Sequence, residues 1–151
     1  MLSVPSGPGS VNAMGFKLRF FGVARQASLP SLPMPLLQIQ SSALSSNANE
    51  NTPLLLKTLS GELARELGKP ETYVMVSLTT ATSMVFGGSP EPCCFAALKN
   101  IGTFAPAQTE RLSALLCARL TEALGVPPHR IYIEFIEARD HLWGHDGATF
   151  A

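Results

Sequence analysis

Acidic residues are missing from the first third of the chain: none precedes Glu50, although Lys17, Arg19 and Arg25 do. Charge is sparse throughout, 15% of 151 residues, and acids and bases cancel to a formal net charge of zero. A neutral chain lacks the basic footprint that nucleic-acid binding requires, so no nucleic-acid partner is expected. Long apolar runs are missing too. None approaches the roughly 18 residues of a membrane-spanning helix, so no membrane partner is expected either. Three cysteines, Cys93, Cys94 and Cys117, are too few and too oddly placed for a secreted disulfide framework. A reducing compartment is the default, which makes the cytoplasm the expected location. What the chain does have is hydrophobic side chains, 46% of the total, enough to pack one domain of about 100–200 residues.

The start of the chain differs from the rest. Residues 1–34 are rich in Ser, Pro and Gly and carry one short apolar patch, Phe16 to Phe21. No helix or strand period is sustained there, so the stretch is read as a leader outside the core. Its basic, Ser-containing and acid-free composition fits an organelle transit peptide. A disordered tail and translation that starts at Met34 fit as well. The domain proper is read as residues 35–151.

From Pro35 onward the pattern is strand, helix, strand, given twice. Residues 36–43 read as a strand, and Thr52 followed by Pro53 reads as an N-cap and a first-turn proline. Leu56, Leu59, Leu63 and Leu67 make an apolar helix stripe that Gly68 and Pro70 terminate. In residues 73–80, Val74, Val76 and Leu78 alternate with Tyr73, Met75 and Ser77 as in a strand. The second copy has a strand at 93–98 and a helix stripe of Leu112, Leu115, Leu116, Leu120, Ala123 and Leu124. Gly125 and Pro127 close that helix, and a strand led by Ile131, Ile133 and Phe135 follows. Pro35 to Pro92 spans 57 residues, and so does Gly68 to Gly125; two coincidences at one offset indicate a duplication.

Such a unit normally makes parallel strands through a right-handed crossover. Two copies predict an α+β, two-layer fold: a four-stranded sheet with both helices on one face. The second face still carries apolar strand residues and has no helix left to cover it, which predicts an oligomer. Residues 84–86 and 149–150 are then expected as edge strands that pair with neighbouring subunits.

On residue type alone, Pro35 is a proline that opens a strand, and Lys69 is a cation at a helix C-terminus, where the dipole favours it. Asp140, His141, His145 and Asp146 fall in a segment with Trp143, Gly144 and Gly147 that reads as loop, which does not make a metal site.

Particular residues narrow the reading. Met34, Pro35 and Leu36 before a strand, Gly68, Lys69 and Pro70 with Tyr73, and Phe86 to Ser89 with Glu91, Pro92 and Cys93 form one series. Asn100, Ile101 and Gly102, then Arg130 to Ile133, then Ala148 to Ala151 complete it. In this order and spacing the chain resembles the macrophage migration inhibitory factor and D-dopachrome tautomerase family over residues 35–151.

That resemblance implies a homotrimer whose sheets surround a central channel, with pockets between adjacent subunits. It implies that the base is the free secondary amine of an N-terminal proline, here Pro35, and that Lys69 anchors a substrate carboxylate. Leu36, Ile101, Trp143 and Phe150 would form apolar walls. Asn100 and Ile101 would offer hydrogen bonds, and Tyr132 would arrive from a neighbouring subunit on the strand face it shares with Glu134. The implied reaction is keto–enol tautomerisation of a small aromatic α-keto acid such as phenylpyruvate, without a cofactor or metal. A cytokine-like role toward a protein receptor or client, with a vestigial or blocked site, is the alternative. Secretion without a signal peptide, or organelle import if residues 1–34 are a transit peptide, are the alternatives to the cytoplasm.

Three features depart from the family pattern. The cysteines are adjacent, with Ala96 where a Cys-x-x-Cys would have its second thiol, so no redox role is expected. Glu134 stands where relatives often have Asn, and His145 where some have an aromatic.

Overall fold

In the computed structural model, residues 34–43 and 48–151 are described. The first unit comprises β1 (Leu36–Ser41), α1 (Ala48–Leu67), a 3-10 turn (Glu71–Tyr73) and β2 (Met75–Thr79). The second comprises β3 (Cys94–Ile101), α2 (Pro106–Leu124), a 3-10 turn (Pro128–Arg130) and β4 (Ile131–Ala138). A further turn (Asp140–Leu142) leads to a short hairpin of β5 (Gly144–His145) and β6 (Ala148–Thr149). The main sheet runs β2-β1-β3-β4. Strands within each unit are parallel, and the units meet through the antiparallel pair β1 and β3. The α+β architecture is as the pattern predicts.

The duplication is visible in the contacts. Ile39 pairs with Ala96 at the centre of the β1–β3 ladder, and these residues lie 57 positions apart. Glu62 on α1 and Arg119 on α2 are separated by the same 57 and grip each other, with nitrogen–oxygen distances of 2.6, 3.0 and 3.2 Å. An approximate two-fold axis therefore passes between the central strands and between the helices.

Period decides which side chains enter the core. Leu37 and Ile39 of β1 and Ala96 and Leu98 of β3 point one way and are all but inaccessible. Leu55, Leu59, Leu63 and Leu67 of α1 and Leu112, Leu116 and Leu120 of α2 lie over them. Each fully buried Leu or Ile among them stabilises the fold by about 1.5–3 kcal/mol.

Several boundaries differ from the sequence expectation. Helix α1 starts at Ala48, so Pro53 lies inside it rather than at its first position. There the missing N–H costs the helix the bond that would run back to the carbonyl of residue 49 in its first turn. Leu55 is buried on the stripe and Leu56 only half-buried. Strand β1 stops at Ser41 because hydroxyls capture the backbone beyond it. Ser41 Oγ accepts from the Ala43 N–H (3.1 Å), and Ser42 Oγ accepts from the Cys93 N–H (2.9 Å). Strand β2 begins only at Met75 because residues 71–73 form the tight turn.

The sheet face away from the helices is more mixed than expected. Gln38, Gln40, Ser77 and Thr79 occupy its β1–β2 half, while Phe95, Ala97, Tyr132 and Ile136 share the β3–β4 half with Lys99 and Glu134. Met75 is 59% exposed and Tyr132 64%. As for the expected edge strands, residues 84–86 contribute only a bridge from Phe86 to Ser89, and Thr149 pairs within its own chain.

The link between helices predicts an acid response. Hydrogen bonding from Arg119, partly offset by burial and helped by the charges of Arg119 and Arg65, holds the Glu62 carboxyl below its ordinary pKa. A carboxyl depressed in the folded state adds stability above its unfolded pKa and loses it as pH falls through the folded one. Glu62→Gln should therefore unfold at lower urea than wild type near neutral pH, with the gap closing as pH falls. A gap independent of pH in urea titrations would refute this.

Candidate active site at the head of the first strand

Pro35 is less than 2% exposed and immediately precedes β1. Its ring fixes φ, and its carbonyl accepts from the Met75 N–H at 3.0 Å. Leu36 pairs with Met75 on one side and Lys99 on the other. Pro35 thus lies between the start of β2 and the end of β3, where Asn100 (3% exposed) and Ile101 (4%) sit. Those two point to opposite faces of the sheet, with Asn100 on the helix side.

Lys69 reaches this end of the sheet through the cap of α1. Gly68 adopts φ 64°, its N–H bonds to the Arg65 carbonyl (3.2 Å), and the Lys69 N–H bonds to Ala64 (2.8 Å). This left-handed cap turns the chain toward β2. Burial pushes the Lys69 ammonium pKa down, and among the described residues it has no ion-pair partner. Partial desolvation disfavours the ammonium, so an anion bound beside Lys69 would be favoured there.

The C-terminal hairpin supplies an aromatic wall. His145 packs edge-on against Tyr73 (6.3 Å) and stacks on Phe150 (6.2 Å, 7° between planes). The Phe150 N–H bonds to the Trp143 carbonyl at 3.2 Å, which closes the segment. Asp146 and Gly147 both have positive φ, 48° and 77°, the type I′ geometry of a two-residue hairpin. On sequence pattern residues 140–147 read as loop and 149–150 as an edge strand. The Asp-Gly pair was the available signal for the hairpin, and Tyr73 and His145 are the wall residues it would have added. Trp143 is half-buried, and among the described residues its ring meets neither Tyr73 nor Phe150. Asp140 and His141 form a 3.5 Å pair of their own.

Tyr132 and Glu134 lie elsewhere. Tyr132 pairs with Phe95, and Phe95 with Gln40, at the far end of β1. Five residues from Pro35 to Gln40 span roughly 16 Å at about 3.3 Å per residue. Tyr132 therefore cannot serve the Pro35 of its own chain. Its ring instead meets Phe86 at 4.7 Å, and the Arg130 guanidinium lies 5.2 Å from the Phe86 ring centre. One chain thus brings Pro35, Leu36, Lys69, Asn100, Ile101 and Phe150 to one end of the sheet and leaves Tyr132 toward the other.

Arg130 was not singled out from sequence as a functional residue. It is 7% exposed, and its guanidinium donates to the carbonyls of Pro92 (2.9 Å), Glu91 (2.8 Å), Ser89 (3.2 Å) and Phe86 (3.4 Å). The cysteines are chemically quiet. Cys93 and Cys94 are buried, and burial, with the neighbouring thiols, pushes the Cys94 pKa up to about 12. A cleft of about 260 Å³ lies between the helices at Leu55 and Arg119, and one of about 420 Å³ lies along residues 144–149. Neither is lined by Pro35 or Lys69.

The family model for macrophage migration inhibitory factor matches residues 34–151. Macrophage migration inhibitory factor of Meriones unguiculatus is 35% identical over 118 residues, covering 78% of this chain and all of the relative. A Brugia malayi homologue is 36% identical over 102 residues, covering 68% of this chain and 89% of the relative. Among solved structures, the homologue from Prochlorococcus marinus matches with TM-score 0.70 and 42% identity, over 77% of this chain and 99% of its own. The Toxoplasma gondii protein matches with TM-score 0.70 and 32% identity, over 76% and 98%. The chain belongs to the macrophage migration inhibitory factor family of the tautomerase superfamily.

Proposed function

We propose that this protein is a cofactor-independent keto–enol tautomerase for a small aromatic α-keto acid such as phenylpyruvate, with the released Pro35 amine as its base. The observation that carries this reading is a buried proline at the head of β1, on the same end of the sheet as a partly desolvated lysine without a carboxylate. The amine lone pair takes a proton from the carbon next to the keto group. The electron pair left behind forms the carbon–carbon double bond, and the ammonium returns its proton to the carbonyl oxygen. Burial keeps the amine uncharged between turnovers, because a low-dielectric setting disfavours the ammonium. Lys69 holds the substrate carboxylate and favours the charge that develops beside it. Leu36, Ile101, Tyr73, His145 and Phe150 take the aromatic ring.

The 16 Å separation supports a homotrimer in which Tyr132 and Glu134 of the partner subunit complete the site. The mixed open sheet face would then line the trimer interior. A binding or signalling role is the second reading, favoured by the effect on macrophage migration for which the relatives are named; it needs no free Pro35.

The test is enol formation from phenylpyruvate by a chain that begins at Pro35. Lys69→Ala should raise KM about tenfold or more, the loss of one charge-assisted hydrogen bond, with a smaller change in kcat. An unchanged KM would return Lys69 to a purely structural role at the helix end.

A further inference from the structure

Asn100 holds an unused acceptor. Its side chain is almost wholly buried, yet among the described residues Oδ1 has no hydrogen-bond partner. Buried polar atoms are nearly always satisfied, so an orphan of this kind asks for an explanation. The β1–β3 ladder ends with Leu36 opposite Lys99, and the next positions outward are Pro35 and Asn100. Even-numbered residues of β3 and odd-numbered residues at this end of β1 both face the helices, as the burial of Leu98 and Leu37 shows. Direct cross-strand neighbours have Cβ atoms about 5 Å apart, within reach of an asparagine amide.

With residues 1–34 attached, the Pro35 nitrogen is a tertiary amide and carries no hydrogen. Released, it becomes a secondary amine with one N–H when neutral and two when protonated. The donor that Asn100 lacks is the one that release creates.

We infer that Asn100 is the positioning residue for the Pro35 amine, its side-chain oxygen accepting the amine N–H in the chain that begins at Pro35. A neutral ring nitrogen has one N–H and one lone pair beyond its two ring bonds, so fixing the first fixes where the second points. After proton transfer, one N–H stays with Asn100 and the other carries the proton back to substrate. The substrate class rests on the tautomerase reading; the contact itself does not require turnover.

Other ionisable groups near this end of the sheet are Lys69 after α1, Tyr73 before β2, His145 of the hairpin against Tyr73, Lys99 on the far face of β3, and Glu137. Glu137 is the register partner of Asn100 on β4, and its carboxylate accepts from the Phe104 N–H at 2.8 Å.

The test is an NMR titration of the Pro35-initiated chain with carbon-13 in proline and in asparagine side chains. The Asn100 side-chain carbonyl resonance should shift with the same midpoint as the Pro35 ring carbons, and should show no such titration when residues 1–34 are retained. Asn100→Asp should raise the Pro35 midpoint by about one unit or more, because an adjacent carboxylate favours the ammonium. Asn100→Leu should lower it and reduce kcat about tenfold or more. If the wild-type Asn100 carbonyl ignores the Pro35 titration, the inference is overturned even if neither variant folds. An inactive chain in which both signals titrate together would sink the tautomerase reading and leave this contact standing.

Discussion

A chain that begins at Pro35 is expected to enolise phenylpyruvate at least about 10²-fold faster than the same chain with residues 1–34 attached. The reason is bond order at one atom. An amide nitrogen has given its lone pair to the carbonyl and cannot accept a proton, whereas a secondary amine can. Among the described residues the alternatives are poorly placed: Lys69 is a cation, the Glu137 carboxylate is engaged by the Phe104 N–H at 2.8 Å, and Tyr132 of the same chain is roughly 16 Å off along the strand direction. Release by initiation at Met34 and removal of that methionine is chemically easy, because the next residue is small. The leader-bearing form should still fold, since Pro35 lies at the strand head and its carbonyl, rather than its nitrogen, makes the β2 contact. Equal rates for the two forms, measured by absorbance of the enol, would show that the nitrogen plays no part.

Replacing Arg130 by alanine is expected to lower stability by about 2–3 kcal/mol. Four carbonyls, from Phe86, Ser89, Glu91 and Pro92, converge on one guanidinium that is 7% exposed and, among the described residues, has no ion-pair partner. Removing it strands these acceptors and frees the segment that precedes β3 from the start of β4. It also withdraws the cation from the Phe86 ring, against which Tyr132 packs. Arg130→Lys should recover less than half of the loss, because one ammonium cannot span four acceptors arranged around a planar fork. Urea unfolding of the three proteins checks this. A midpoint for Arg130→Ala within error of wild type would show that the carbonyl cluster is satisfied without it.

How much of this could be read beforehand follows from which interactions leave a periodic trace. Leucine stripes at helical spacing and alternation in residues 74–78 report burial directly, so the two units and their common sheet were legible. Gly68 and Gly125 were legible because only a left-handed residue closes a helix in that way, and both adopt it, at φ 64° and 66°. Individual polar partners leave no such trace. Arg130 and Arg119 look alike in a sequence, yet one is buried among carbonyls and the other bridges two helices from a part-exposed position. The start of α1 was misplaced because Thr52 and Pro53 offer good capping chemistry that the longer helix overrides. The hairpin at 144–149 was missed for a different reason. Its strands are two residues each, too short to show alternation, and only the Asp146-Gly147 pair announces the turn. As for the site, Pro35 and Lys69 were identified by resemblance, and folding places them at one end of the sheet. Tyr73 and His145 needed coordinates, because their contact joins segments separated by the whole second unit.

The most direct measurement compares phenylpyruvate turnover by the Pro35-initiated protein with that of its Pro35→Gly variant, with oligomeric state followed by light scattering. Glycine keeps an N-terminal amine but loses the ring that fixes its direction, so kcat/KM should fall about 10²-fold or more while the assembly is unchanged. Turnover equal to wild type would remove the Pro35 nitrogen from the reaction.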